Sequence, residues 1–87
     1  MGYHKRKIEK GKVGEISKIR EEVEELIDSE EQGNKIMALV ELSDIVGAIQ
    51  AYINKHHSSI TFDDLMVMAK ATSKAFKEGS RKSTTQR

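Results

Sequence analysis

The stretch Lys35-Ile36-Met37-Ala38-Leu39-Val40-Glu41-Leu42-Ser43-Asp44-Ile45-Val46-Gly47-Ala48-Ile49-Gln50-Ala51-Tyr52-Ile53-Asn54-Lys55 decides the fold. At about 100° per residue its apolar side chains cover nearly the whole circumference of a helix. A helix apolar on every side is expected to be buried. Glu41, Ser43, Asp44 and Gln50 interrupt it, and no segment of the chain is expected to span a membrane. The expectation is the central helix of a bundle.

Upstream, Ile16, Ile19, Val23, Leu26 and Ile27 recur at helical spacing and predict a first helix from about Val13 to Gln32. Gly33 is placed to stop it and Asn34 to cap the next. Downstream, His56-His57-Ser58-Ser59 is a polar connection, and Thr61 with Asp64 reads as the reciprocal cap of a third helix. Its stripe is Phe62 or Leu65, Ala69, Thr72 and Phe76, broadened by Met66 and Met68, and it ends at Lys77 before Gly79. Met37, Met66 and Met68 are expected to fill the core. The chain divides into an irregular basic arm (1–12), an all-α domain (13–79) and a loose polar tail (80–87).

No strand pattern is found, and the sequence has no Pro, no Cys and 33% charged residues. The fold class is all-α: a three-helix chain with an apolar central helix. Three helices in 87 residues cannot cover one another when one is apolar all round. Association into a four-helix or larger bundle, as a homo-oligomer, is the expected resolution. Lack of Cys excludes a disulfide framework and thiolate metal ligation. With no signal-peptide pattern either, a cytoplasmic protein is expected.

The formal net charge of +1 conceals an asymmetry, since eight of the fourteen acidic residues lie between Glu15 and Glu31. Lys5-Arg6-Lys7, Lys10 and Lys12 crowd the N-terminus without aromatic or Gly-rich recognition residues. That argues against nucleic-acid binding and for a solvated flank or a phosphate-facing arm.

Register sorts the acids. On the first helix Glu15, Lys18, Glu22 and Glu25 share one edge of the apolar stripe, and Glu21, Glu24 and Asp28 lie on the other flank. Taken alone, this helix fits a solvated acidic face. The central helix does not: Glu41 and Asp44 stand three apart in apolar surroundings, and burying unpaired carboxylates costs several kcal/mol each. A cation from elsewhere, a raised pKa or a bound metal would relieve them. Four carboxylates favour hard divalent ions, Mg²⁺ or Mn²⁺, over Zn²⁺. Such ions commonly partner phosphates, which points to a nucleotide.

Lys18-x-x-Glu21-Glu22-x-x-Glu25, followed by Glu41-x-x-Asp44 in an apolar helix, resembles the EExxE and ExxD pattern of the MazG-like all-α nucleoside triphosphate pyrophosphohydrolases, small single-domain and phage-encoded members most closely. The similarity covers about half the chain. It implies cleavage of a (d)NTP between the α- and β-phosphates to monophosphate and pyrophosphate. It also implies Mg²⁺ held by Glu22, Glu25, Glu41 and Asp44, which activate a metal-bound water, and a dimer or tetramer. Glu21 matches the first Glu of EExxE but lies off the ligand edge, so it is given a supporting role.

Lys18 is either a phosphate ligand or an intrahelical partner of Glu22. Lys74 and Arg81 are further candidates for the phosphates. His56 and His57 are adjacent, which does not suit joint metal ligation on a helix, and are read as a polar turn. Two alternatives stand beside the hydrolase: a non-catalytic helical interaction module, and an enzyme resembling phosphoribosyl-ATP pyrophosphohydrolase, which shares the carboxylate scheme.

Overall fold

A computed structural model describes residues 6–78. They form three α-helices, α1 (Ile16–Glu31), α2 (Lys35–His56) and α3 (Phe62–Glu78), with no strand among the described residues. The fold class is all-α, as the sequence predicts. Arg81 and the polar tail lie outside the described residues.

The boundaries follow from local chemistry. Gly33 has a φ of 71°, the left-handed conformation that suits glycine, and closes α1. Asn34 is extended and its Oδ1 accepts the Met37 N–H at 3.0 Å, capping α2. At α3 the cap is reciprocal: Asp64 N–H donates to Thr61 Oγ1 and Thr61 N–H to Asp64 Oδ2, both at 3.0 Å. The start of α1 differs from the periodicity. Gly14 takes a φ of 90° and Glu15 is extended, so the helix begins at Ile16 rather than near Val13. The apolar spacing reaches back to Val13, but the backbone turns before it.

A tight turn joins α1 to α2, and the two helices pack antiparallel. Glu15 at the start of α1 therefore meets the far end of α2, where Lys55 Nζ donates to its carboxylate and His56 Nε2 lies 3.4 Å away. Lys55 lowers the Glu15 pKa below the ordinary carboxylate range. His56 also stacks on Tyr52, with ring centroids 4.5 Å apart. The histidines thus belong to the end of a helix and its cap.

The expectation that α2 is buried fails within one chain. Only Glu41, Ala48 and Ile53 are buried in it, while Ile36, Leu39, Val40, Leu42 and Val46 are exposed. The reason is the place of α3, which buries no residue and leaves all of α2 except its α1-facing side open. Met66 and Met68 are accordingly exposed rather than core. A second expectation also changes: α2 runs unbroken for 22 residues, long and apolar enough to cross a membrane by length and composition alone. Its two mid-helix carboxylates are costly in hydrocarbon, and they face α1 acids instead.

Candidate metal centre

The α1–α2 hairpin places the carboxylates. Glu25 and Glu41 lie equally far in residues from Gly33, and so do Glu22 and Asp44. Antiparallel packing therefore brings the two pairs opposite each other. Carboxylate oxygens of Glu22, Glu25, Glu41 and Asp44 all lie within 4.8 Å of one another. The four residues picked out by register are the four that converge.

The cluster runs from the interior to solvent. Glu41 is 0% exposed and Glu22 6%, Glu25 is partly covered, and Asp44 is exposed. Burial, the charge of Glu22 and a hydrogen bond with Glu41 push the Glu25 carboxyl up to about 7. Four carboxylates this close cannot all be ionised without a counter-charge. Near neutral pH the Glu25 carboxyl is thus partly protonated, and a bound cation would displace that proton.

Lys18 supplies part of the counter-charge. Its Nζ lies 3.0 Å from Glu22 Oε2 and 3.1 Å from Glu21 Oε1. The hydrogen bond to Glu22, against burial and with help from Glu21, raises its pKa and keeps it charged. The other Glu22 oxygen, Oε1, is buried and meets no N–H or hydroxyl donor, so that with the carboxylates ionised it accepts no hydrogen bond. An acceptor stripped of water without a donor carries a desolvation cost. Within a ring of carboxylates, such an oxygen fits a divalent cation bound by hard oxygen ligands. The residues present therefore suit Mg²⁺ or Mn²⁺.

A pocket of about 250 Å³ adjoins the cluster, lined by Val13, Lys18, Glu22, Ser43, Asp44, Gly47 and Ala48. A larger groove of about 600 Å³, along Leu26, Glu30, Lys35, Ala38, Leu39 and Leu42, contains none of the four carboxylates. The smaller pocket is the one beside the carboxylates, because it combines Glu22 and Asp44 with the Lys18 ammonium.

Glu21 is not among the converging four. It is 3% exposed, and its Oε1 accepts the Gly11 N–H at 2.9 Å while Lys10 Nζ lies 3.8 Å from Oε2. Burial works against its ionisation, but the Gly11 N–H and Lys18 outweigh it and lower its pKa. The rest of that flank also meets the basic arm: Arg6 lies 3.3 Å from Glu24 and 4.0 Å from the buried Asp28. The solvated acidic face is thus replaced by two occupied edges, one turned to the carboxylate cluster and one to the arm. Sequence reasoning missed this second role, although alternating basic arm and acidic flank is a visible signal. Lys74 is exposed on α3 and makes no contact with the cluster among the described interactions.

No family model, curated protein or solved structure matches this chain.

Proposed function

We propose that the chain is a Mg²⁺-dependent nucleotide pyrophosphohydrolase that cleaves a (d)NTP between its α- and β-phosphates. The observation that carries this reading is the convergence of four carboxylates, Glu41 and Glu22 among them buried, whose oxygens lie within 4.8 Å of one another. The resemblance of Glu21-Glu22-x-x-Glu25 and Glu41-x-x-Asp44 to the MazG-like pattern supplies the reaction.

In this reading Glu22, Glu25, Glu41 and Asp44 hold Mg²⁺ or Mn²⁺, which when bound neutralises phosphate charge and lowers the pKa of a coordinated water. The chain's own residues do the rest. Glu41 and Glu22 fix the floor of the site, with their positions set by the α1–α2 packing. Glu25, whose carboxyl is pushed up to about 7, would have to be ionised, with its proton released to solvent, to serve as a ligand. Asp44 stands at the solvent end, where substrate enters, and Lys18 offers an ammonium in the adjoining pocket to a phosphate oxygen.

The exposed faces of α2 and α3 support a homo-oligomer, in which Ile36, Leu39, Val40, Val67 and Phe76 are covered by other copies. The same surface favours one second reading, a non-catalytic helical interaction module. Incubation with each NTP, each dNTP and phosphoribosyl-ATP in Mg²⁺, followed by product identification, decides between them. Monophosphate and pyrophosphate from any nucleoside triphosphate, lost in Asp44→Asn, support the hydrolase. Pyrophosphate from phosphoribosyl-ATP alone moves the substrate to that neighbouring class. No product from any of them favours the module.

A further inference from the structure

We infer that Glu21 is a positioning residue that latches the N-terminal arm to α1 and thereby fixes Lys18 at the wall of the phosphate pocket. This rests on the pyrophosphohydrolase reading for the identity of the ligand.

Two donors converge on the buried Glu21 carboxylate, the Gly11 N–H at 2.9 Å and Lys18 Nζ at 3.1 Å, and the Lys10 ammonium pairs with it at 3.8 Å. Gly11 and Lys10 belong to the arm, and Lys18 belongs to α1. The carboxylate is therefore a joint between two parts of the chain. Lys12 N–H donates to Ser17 Oγ at 3.0 Å and gives the joint a second point of attachment. Gly11 is required by closeness: a Cβ there would run into the Ser17 carbonyl oxygen and the Lys18 backbone nitrogen. The arm can lie against the first turn of α1 only because that side chain is absent.

The joint has a consequence at the site. Val13, two residues beyond Gly11, lines the same pocket as Lys18, Glu22 and Asp44. Held by both Glu21 and Glu22, the Lys18 ammonium has one direction to face. A long flexible side chain fixed in this way loses less freedom when a phosphate binds. Glu21 thus acts on substrate affinity through Lys18 and the arm, whereas Glu22 acts on the cation directly.

The test compares full-length wild type with Glu21→Gln, Gly11→Ala, Lys18→Ala and Glu21→Gln/Lys18→Ala. Mg²⁺ affinity is measured by calorimetry without nucleotide, and kcat and KM separately on the best nucleotide of the panel. Glu21→Gln and Gly11→Ala are expected to raise KM about tenfold, with kcat within threefold of wild type and Mg²⁺ affinity within twofold. The double variant is expected to match Lys18→Ala alone, because the two residues act as one unit. Loss of Mg²⁺ affinity in Glu21→Gln would make Glu21 a cation ligand and overturn the inference. So would an unchanged KM, or additive effects in the double variant. If wild type hydrolyses no nucleotide, the proposed function falls, and the latch is then decided by binding of inorganic pyrophosphate with Mg²⁺. A tenfold loss in Glu21→Gln supports it and equal affinity refutes it. Should Gly11→Ala fail to fold, Glu21→Leu takes its place, because it removes the acceptor of the Gly11 N–H that Glu21→Gln retains, and the same rise in KM is expected of it while an unchanged KM refutes the latch.

Discussion

Glu22 and Glu25 differ from Glu21 and Glu24 only by where a helical register puts them, yet apart from Lys18, which bridges Glu21 and Glu22, their environments diverge. The first pair faces Glu41 and Asp44 and the second faces Arg6, Lys10 and Gly11. Residue register was legible in the sequence because 3.6 residues per turn fixes it. What occupies the second edge was not, since an irregular arm has no period from which its path can be read.

The raised Glu25 pKa makes a prediction with a definite sign. A carboxyl at about 7 in the folded chain, against an ordinary value of 4.5, binds more protons folded than unfolded between those limits. Its contribution to stability is present at low pH and lost as pH rises through the folded value. The thermal midpoint of the metal-free protein should therefore fall between about pH 5 and pH 8 on this account. Saturating Mg²⁺ should remove most of that fall, as followed by circular dichroism. A metal-free midpoint that rises across the same window would contradict the shift.

Ser29 offers a separate residue-scale check. Its hydroxyl is 1% exposed and has no hydrogen-bond partner. Ser29→Ala removes an unsatisfied buried group and improves helix propensity, so stability should rise by roughly 1 kcal/mol. Denaturant titration measures it, and a loss of stability would show that the hydroxyl is satisfied after all.

At the scale of elements, caps and stops were read from sequence with little error, because Gly33, Asn34, Thr61 and Asp64 each act within a few residues of themselves. The start of α1 was misplaced. Apolar spacing continues through Val13, whereas the positive φ of Gly14 and the extended Glu15 break the helix before Ile16. Gly14 marks the break locally, but apolar spacing alone does not say on which side of it the helix begins. Gly47 gives an element-scale prediction. Nothing lies within 4 Å of a Cβ added there, so Gly47→Ala should stabilise α2 by about 0.5–1 kcal/mol. The same methyl enters the pocket beside Asp44 and should raise KM without weakening Mg²⁺ binding. Denaturant titration and steady-state kinetics on one variant check both halves, and a destabilised variant would place an unseen neighbour at Gly47.

At the scale of the whole molecule, the all-α class followed from period and composition, whereas burial did not. An apolar circumference implies a cover but does not say which chain provides it. Here α1 covers one side of α2, and Leu39, Val40 and Val46 remain open, as do Val67 and Phe76 on α3. Association buries such surface at roughly 25 cal/mol per Å² of apolar area, less the cost of ordering the partners. Sedimentation should therefore find a dimer or tetramer at micromolar concentration. Leu39→Glu should shift it toward monomer, and a wild-type monomer at all concentrations would refute the assembly.

The site and the assembly meet in α2, whose Glu41 is the most deeply buried ligand proposed. Calorimetric titration of Mg²⁺ into wild type and Glu41→Gln, with helicity checked in both, tests the metal centre most directly. The carboxylate cluster predicts saturable binding to wild type with release of a proton near neutral pH, and at least a tenfold weaker affinity in a fully helical Glu41→Gln. Equal affinity in the two proteins, or no binding to wild type, would contradict it.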